Sequence, residues 1–170
     1  MCNGYICFQT NITIWRLGLA FAQSFESELQ ENLMVMDINK KIVVVEDDAD
    51  LLFLLGKVLR KAGYHVECFL NGSTIVSNKN YAWPDLFLLD KEMEFMDGLE
   101  ISNYLKSNKQ TQAIPVVMMS GAKEYENAAL QAGADYFFEK PLNIKRVLQI
   151  IHSLIFDREK NRHSSVHFLD

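Results

Sequence analysis

From Lys40 onward the apolar and polar positions follow two alternating rhythms. KIVVVE (41–46) is a short, continuous apolar run rich in β-branched residues, the pattern of a strand covered on both faces. Leu51, Leu52, Leu55, Val58, Leu59 and Ala62 then recur at helical spacing, and Gly63 marks the stop. HVECFL (65–70) reads as a second strand, and Asn71-Gly72-Ser73 leads into a short helix. DLFLLD (85–90) is a third strand, after which Ile101, Tyr104 and Leu105 mark a helix opening near Gly98. IPVVMMS (114–120) is a fourth, followed by a helix on Tyr125, Ala128, Ala129 and Ala132 that closes at Gly133. DYFFE (135–139) is the fifth, and Ile144, Val147, Leu148, Ile151, Leu154 and Ile155 form a last amphipathic helix.

Strands that alternate with helices in this way predict an α/β domain, a parallel sheet with helices on both faces. Such sheets bind ligands beyond the carboxyl ends of their strands. The residues at those ends are Glu46-Asp47-Asp48, Asp90, Ser120 and Glu139-Lys140. Taken singly, each has an ordinary reading. Asp48 or Asp50 can cap a helix, Ser120 can sit in a turn, and Lys140 can be surface charge. Their arrival at the ends of strands of one sheet is what changes the picture.

Neighbouring parallel strands lie about 5 Å apart, so these polar tips converge on one crevice. Carboxylates at that separation repel by about 3 kcal/mol per pair at an effective dielectric near 20. Glu46, Asp47 and Asp90 therefore call for a cation, and an all-oxygen donor set suits a hard ion such as Mg²⁺. Lys140 adds a fixed positive charge. A metal beside an ammonium favours an anionic ligand, and a phosphoryl group is the natural candidate.

Composition narrows the class without naming it. The chain has 170 residues, 49% of them hydrophobic, enough for one domain with a substantial core. Its net charge of −5 offers no pull toward nucleic acid or anionic lipid. Cys2, Cys7 and Cys68 are odd in number and lack metal-ligand spacing, which fits reduced thiols in the cytoplasm. Residues 1–39 stand apart as an extension, with an apolar patch at 12–22 that carries Arg16 and is too short to span a membrane. No Lys or Arg precedes that patch, so it does not read as a signal peptide. Met34 and Met36 stand just before the regular pattern, as a misassigned start would place them, and residues 1–35 are expected to be dispensable for folding and for the site. The polar stretch 157–170 is expected to be a loose tail.

The segments VVVEDDADLL, PDLFLLDKEMEFMDGLE, VVMMSGA and AGADYFFEKPL resemble, in order, the response-regulator receiver domains of two-component signalling. The resemblance covers residues 40–156 and implies a stand-alone receiver with a doubly wound, flavodoxin-like, five-stranded parallel sheet in the order 2-1-3-4-5. By position it makes Asp90 the phosphoacceptor. Glu46 and Asp47 match the acidic pair at Mg²⁺, and the backbone carbonyl of Glu92 matches a further metal ligand. Ser120 matches the hydroxyl that turns toward the phosphoryl group, Lys140 the family's lysine, and Phe137 its aromatic switch residue. The Lys140-Pro141 bond matches one that is usually cis. The implied partners are a histidine kinase or phosphotransfer protein, which donates, and a downstream effector protein. With few residues after Phe156, direct DNA contact is not expected.

The chain departs from the family pattern in places. Glu94 stands where a proline is usual, which loosens the loop by about 0.4–1 kcal/mol through unfolded-state entropy and adds charge. The segment from Ser120 to Gly133 is shorter than usual. Two other functions compete with the switch. One is a Mg²⁺-dependent phosphatase of the haloacid-dehalogenase type, which also uses an aspartyl nucleophile. That class wants a second Asp where Glu92 stands, an early nucleophile strand and a cap domain, so the sequence speaks against it. The other is a degenerate receiver used only for interaction, which the full set of acidic residues disfavours.

Overall fold

The computed structural model describes residues 39–77 and 82–164, with side chains described as far as Phe156. The apolar patch at 12–22, and the expectation that residues 1–35 are dispensable, lie outside the described residues. Within them the order is β1 (Lys41–Val45), α1 (Ala49–Lys61), β2 (His65–Phe69), α2 (Ser73–Ser77), β3 (Leu86–Asp90) and α3 (Gly98–Ser107). β4 (Val116–Ser120), a 3₁₀ turn (Lys123–Tyr125), α4 (Glu126–Gln131), β5 (Tyr136–Glu139) and α5 (Ile144–Ser164) complete it. The five strands pair in parallel in the order β2-β1-β3-β4-β5.

The sheet is sandwiched because its central strands are apolar at every position between Lys41, which opens β1, and the polar tips Asp90 and Ser120, which end β3 and β4. Successive strand residues point to opposite faces. Ile42, Val44, Leu86, Leu88, Val117 and Met119 accordingly meet α1 and α5 through Leu52, Leu55, Leu59, Val147 and Ile151. Val43, Val45, Phe87, Leu89, Val116 and Met118 meet the other layer through Ile75 of α2, Ile101 and Leu105 of α3, and Ala129 of α4. Burying one such aliphatic side chain contributes about 1.5–3 kcal/mol, which makes β1, β3 and β4 the rigid centre of the domain.

Helix starts and stops follow the signals in the chain. Asp48 caps α1, its Oδ1 accepting from the backbone N–H of Asp50 and Leu51, and Asp97 caps α3 by accepting from Leu99 N–H at 2.8 Å. Gly63 and Gly133 take φ of 93° and 88° just after α1 and α4, the left-handed conformation that ends a helix at little cost only for glycine. At the edge opposite the strand tips, Asp135 Oδ2 accepts from Val116 N–H and from Lys106 Nζ, both at 2.9 Å, which fixes β5 against β4. The last helix does not stop near Phe156 but runs to Ser164. Residues 157–162, Asp-Arg-Glu-Lys-Asn-Arg, include several good helix formers, and no Gly or Pro interrupts them.

Gly98 ties the start of α3 to the end of β3. Its N–H donates to Lys91 C=O at 3.0 Å, and a Cβ at this position would fall 2.2 Å from the backbone oxygen of Asp90. Backbone cannot yield as a flexible side chain can. Gly98→Ala should therefore destabilise the domain by about 2 kcal/mol, as overpacking does, and lower its melting temperature by about 7 °C. An unchanged melt would contradict the close approach.

Candidate functional site

The parity that builds the core also aims the site. In β1, Ile42 and Val44 face α1 and α5, and Glu46 is the next residue in that series. In β3 the same face takes Leu86, Leu88 and then Asp90. The register pairs Val45 with Leu89, so Glu46 and Asp90 stand side by side where the two strands end. Phe138 of β5 shares that face, and Lys140 follows two residues later. Three apolar alternations thus deliver two carboxylates and one ammonium to one spot.

Lys140 Nζ lies 3.1 and 2.9 Å from the two carboxylate oxygens of Glu46 and 2.8 Å from Asp90 Oδ1. Glu46 and Asp90 are 1% and 2% exposed, and Lys140 closes over them. Asp90 Oδ1 is in ion-pair contact with the ammonium but accepts no well-directed hydrogen bond. Asp47 is exposed at the rim, and its Oδ2 accepts from Glu94 N–H at 3.3 Å. The Lys140-Pro141 bond is cis.

Burial is the largest influence on both inner carboxyls. It raises Glu46 above the usual carboxylate range, with the Lys140 hydrogen bond pulling down and the Asp90 charge pushing up. Burial likewise raises Asp90, against the pull of Lys140 and with a further push from Asp47. For Lys140, burial works against the charge, but its contacts with Asp90 and Glu46 outweigh that and lift the ammonium above the usual lysine range.

One carboxylate oxygen each from Glu46, Asp47 and Asp90 lie within 4.8 Å of one another. Ligands on an octahedral Mg²⁺ at about 2.1 Å stand about 3–4 Å apart, so a small inward movement would let all three reach one ion. Three carboxylates against one ammonium leave a local charge of −2 (three negative, one positive), which a divalent cation offsets. The buried Asp90 Oδ1, which the ammonium meets as an ion pair without a directed hydrogen bond, adds an anionic oxygen donor. The residues present fit a hard divalent cation.

The three residues that begin at Asp90 each reach a different element. Asp90 meets Lys140 beyond β5. Lys91, whose side chain is 12% exposed, pairs with Asp97 at 3.3 Å and sits 3.7 Å from the centre of the Tyr125 ring, a cation–π contact with the turn before α4. Glu92 accepts a hydrogen bond from the Ser120 hydroxyl at 3.3 Å. Ser120 ends β4 on the parity opposite to Asp90, fully buried, and its Oγ also accepts from Ala122 N–H at 3.1 Å. Phe137 lies in β5 beside Met118, half-buried against the layer of α2, α3 and α4.

The structure therefore gathers Glu46, Asp47, Asp90 and Lys140 into one cluster. It sets Ser120 on the neighbouring loop contact with Glu92, and Phe137 deeper along β5. Lys91, Tyr125 and Gly98 are parts of the site that the sequence reading did not single out. The only signal for Gly98 was its place as an α3 opener. A lysine after an aspartate carries none.

A model of the response regulator receiver domain matches residues 42–152. The phosphate regulon transcriptional regulatory protein PhoB of Escherichia coli is 31% identical over 118 residues, 68% of this chain and 52% of that protein. The response regulator protein TodT of Pseudomonas putida is 31% identical over 67% of this chain and 50% of its own length. The chain thus spans about half the length of these curated relatives. A CheY-like receiver domain protein from Methanospirillum hungatei superposes with a TM-score of 0.64 at 28% identity, over 72% of this chain and 98% of that one. The response regulator TrrA of Thermotoga maritima, crystallised with Mg²⁺ and a beryllofluoride, does so with 0.61 at 25% identity, over 68% and 98%. Among the described residues no helix is long and apolar enough to cross a membrane.

Proposed function

Because the chain belongs to the response regulator receiver domain family of two-component systems, we propose that it is a phosphorelay switch that takes a phosphoryl group on Asp90. The observation that carries the reading is the buried Asp90 carboxylate at the tip of β3, in contact with Lys140 and beside Glu46 and Asp47. Strand burial holds the nucleophile in place, and its acidic neighbours hold a counter-ion for an anionic substrate. An oxygen of Asp90 attacks the phosphorus of a phosphohistidine on a histidine kinase or phosphotransfer protein. The P–N bond breaks, the imidazole leaves with its electron pair and takes up a proton, and an acyl phosphate remains. Water later hydrolyses it to aspartate and inorganic phosphate, which resets the switch.

Glu46, Asp47, Asp90 and the backbone carbonyl of Glu92 would hold Mg²⁺, which supplies charge neutralisation for the phosphoryl oxygens when bound. Lys140, placed between Asp90 and Glu46, offers a second cation to the same oxygens. The Ser120 hydroxyl turns to the phosphoryl group, and the half-buried ring of Phe137 moves with it. The altered face binds an effector protein in the cytoplasm. In this reading the chain is a phosphoacceptor, with no turnover beyond loading and loss of its own phosphoryl group.

The Mg²⁺ requirement tests the reading. Asp47→Ala removes one charge from the cation site while leaving Asp90 and Lys140 in place. At limiting Mg²⁺, its rate of labelling by acetyl phosphate, followed by intact mass, should fall at least about tenfold. Equal rates for the variant and the parent protein would sink the assignment of Asp47 to the metal.

A further inference from the structure

The hydroxyl of Ser120 carries one proton and has two acceptors within reach. Glu92 Oε2 lies at 3.3 Å and Ala122 C=O at 3.4 Å. A carboxylate is the stronger acceptor, because an ionised partner roughly doubles the strength of a hydrogen bond. Ala122 N–H donates to the same Oγ at 3.1 Å, so the hydroxyl is oriented from the protein side and its proton is left for Glu92.

The Glu92 carboxylate reaches this position because the residue before it is anchored. Lys91 is pinned by Asp97 on one side and the Tyr125 ring on the other. Its backbone is pinned as well, with its N–H on Met119 C=O at 2.8 Å and its C=O taken by Gly98 N–H at 3.0 Å. Both Met119 and Tyr125 belong to the segment that carries Ser120. The stretch after β3 and the stretch after β4 are thus joined at Lys91, and Glu92 lies next along the chain with its carboxylate on the Ser120 hydroxyl.

We propose that Glu92 is a positioning residue of the switch: its carboxylate holds the Ser120 hydroxyl in the unphosphorylated chain and competes with a phosphoryl group on Asp90 for the same proton. This rests on the reading of Asp90 as the phosphoacceptor. Loading of Asp90 then exchanges one acceptor for the other, and the Ser120 loop moves while the Lys91–Tyr125 contact keeps the start of α4 in place. No bond is made or broken by Glu92 itself. Its effect is to make the resting position of the hydroxyl the more populated one.

A double-mutant cycle separates this from a simple repulsion between Glu92 and an anionic donor. Initial rates of acetyl phosphate labelling with Mg²⁺ are measured for the parent protein, Glu92→Ala, Ser120→Ala and the double variant. Release of the hydroxyl predicts that Glu92→Ala speeds labelling about threefold more when Ser120 is present than in the Ser120→Ala background, the size expected for one long, part-buried hydrogen bond. The same fold-change in both backgrounds would mean that Glu92 acts through charge alone, and would overturn the exchange. The Ala122 backbone amide resonance gives a readout that needs no phosphoryl group. It should shift in Glu92→Ala, since Ala122 N–H binds the hydroxyl that Glu92 holds. An unmoved Ala122 amide overturns the resting contact. A shifted amide in a chain that takes up no phosphoryl group at all would uphold that contact and overturn the reading of Asp90 instead.

Discussion

Lys140→Met should melt about 10 °C below the parent protein at neutral pH, a loss of about 3 kcal/mol. The ammonium is in contact with both oxygens of Glu46 and with Asp90 Oδ1, two carboxylates that are all but excluded from solvent. Methionine keeps much of the stem but leaves both charges buried and unneutralised. Removing one partner of a buried pair costs about 3–5 kcal/mol, and the partial exposure of Lys140 puts the cost at the lower end. The loss should depend on pH with a definite sign. Glu46 and Asp90 already lie above the usual carboxylate range, and without Lys140 only a backbone hydrogen bond from Asp48 to Glu46 and one from Glu92 to Asp90 still pull them down. A carboxyl raised in the folded state costs stability while ionised, above its folded pKa. The cost is relieved as pH falls through that value toward the unfolded one near 4. Melting temperatures of variant and parent should therefore converge on acidification from pH 8 to pH 5. A gap that stays constant over that range would show that the lost stability is packing and not charge.

Asp90→Asn should move stability the other way. The amide keeps the shape of the side chain and removes a charge that burial and Asp47 both oppose, while Lys140 retains Glu46 as its partner. Two carboxylates share one ammonium, so losing one of them leaves a matched pair rather than an orphan. Replacing a poorly compensated buried charge with a neutral isostere is neutral or stabilising, and about 1 kcal/mol is expected, roughly 3 °C in the melt. Mg²⁺ should raise the melting temperature of the parent protein more than that of the variant, because it relieves the same repulsion and binds the folded state. A variant that melts lower than the parent, with or without Mg²⁺, would mean that the ionised Asp90 is a net contributor to stability.

What was legible in the chain and what was not divides along the sheet edge. Strand side chains alternate with a fixed period, so the run of apolar residues from Ile42 and from Leu86 indicates where Glu46 and Asp90 will point. The same logic carries Phe138 to Lys140, and the cluster of Glu46, Asp47, Asp90 and Lys140 follows from the sequence with little else. Asp48 as a cap and Gly63 and Gly133 as stops were legible for the same reason, since each has a local backbone role. The loops have no period. The sequence marks Glu92 by its backbone carbonyl, and that its side chain meets Ser120 depends on how residues 91–98 fold back on β3. Lys91 between Asp97 and Tyr125 depends on two turns at once. Gly98 looked like a helix opener, and its approach to the Asp90 backbone is a distance between segments that no local pattern encodes. The apolar stripe ends near Phe156, whereas the backbone helix continues to Ser164.

The central claim is that Asp90 alone accepts the phosphoryl group, and the most direct test is the intact mass of the protein after incubation with acetyl phosphate and Mg²⁺. The parent chain should gain a single adduct of about 80 Da, one phosphoryl group on a carboxylate nucleophile, and lose it on chelation followed by mild base. Asp90→Asn, folded and melting no lower than the parent, should gain none. An adduct of the same size and yield on that variant would contradict the claim.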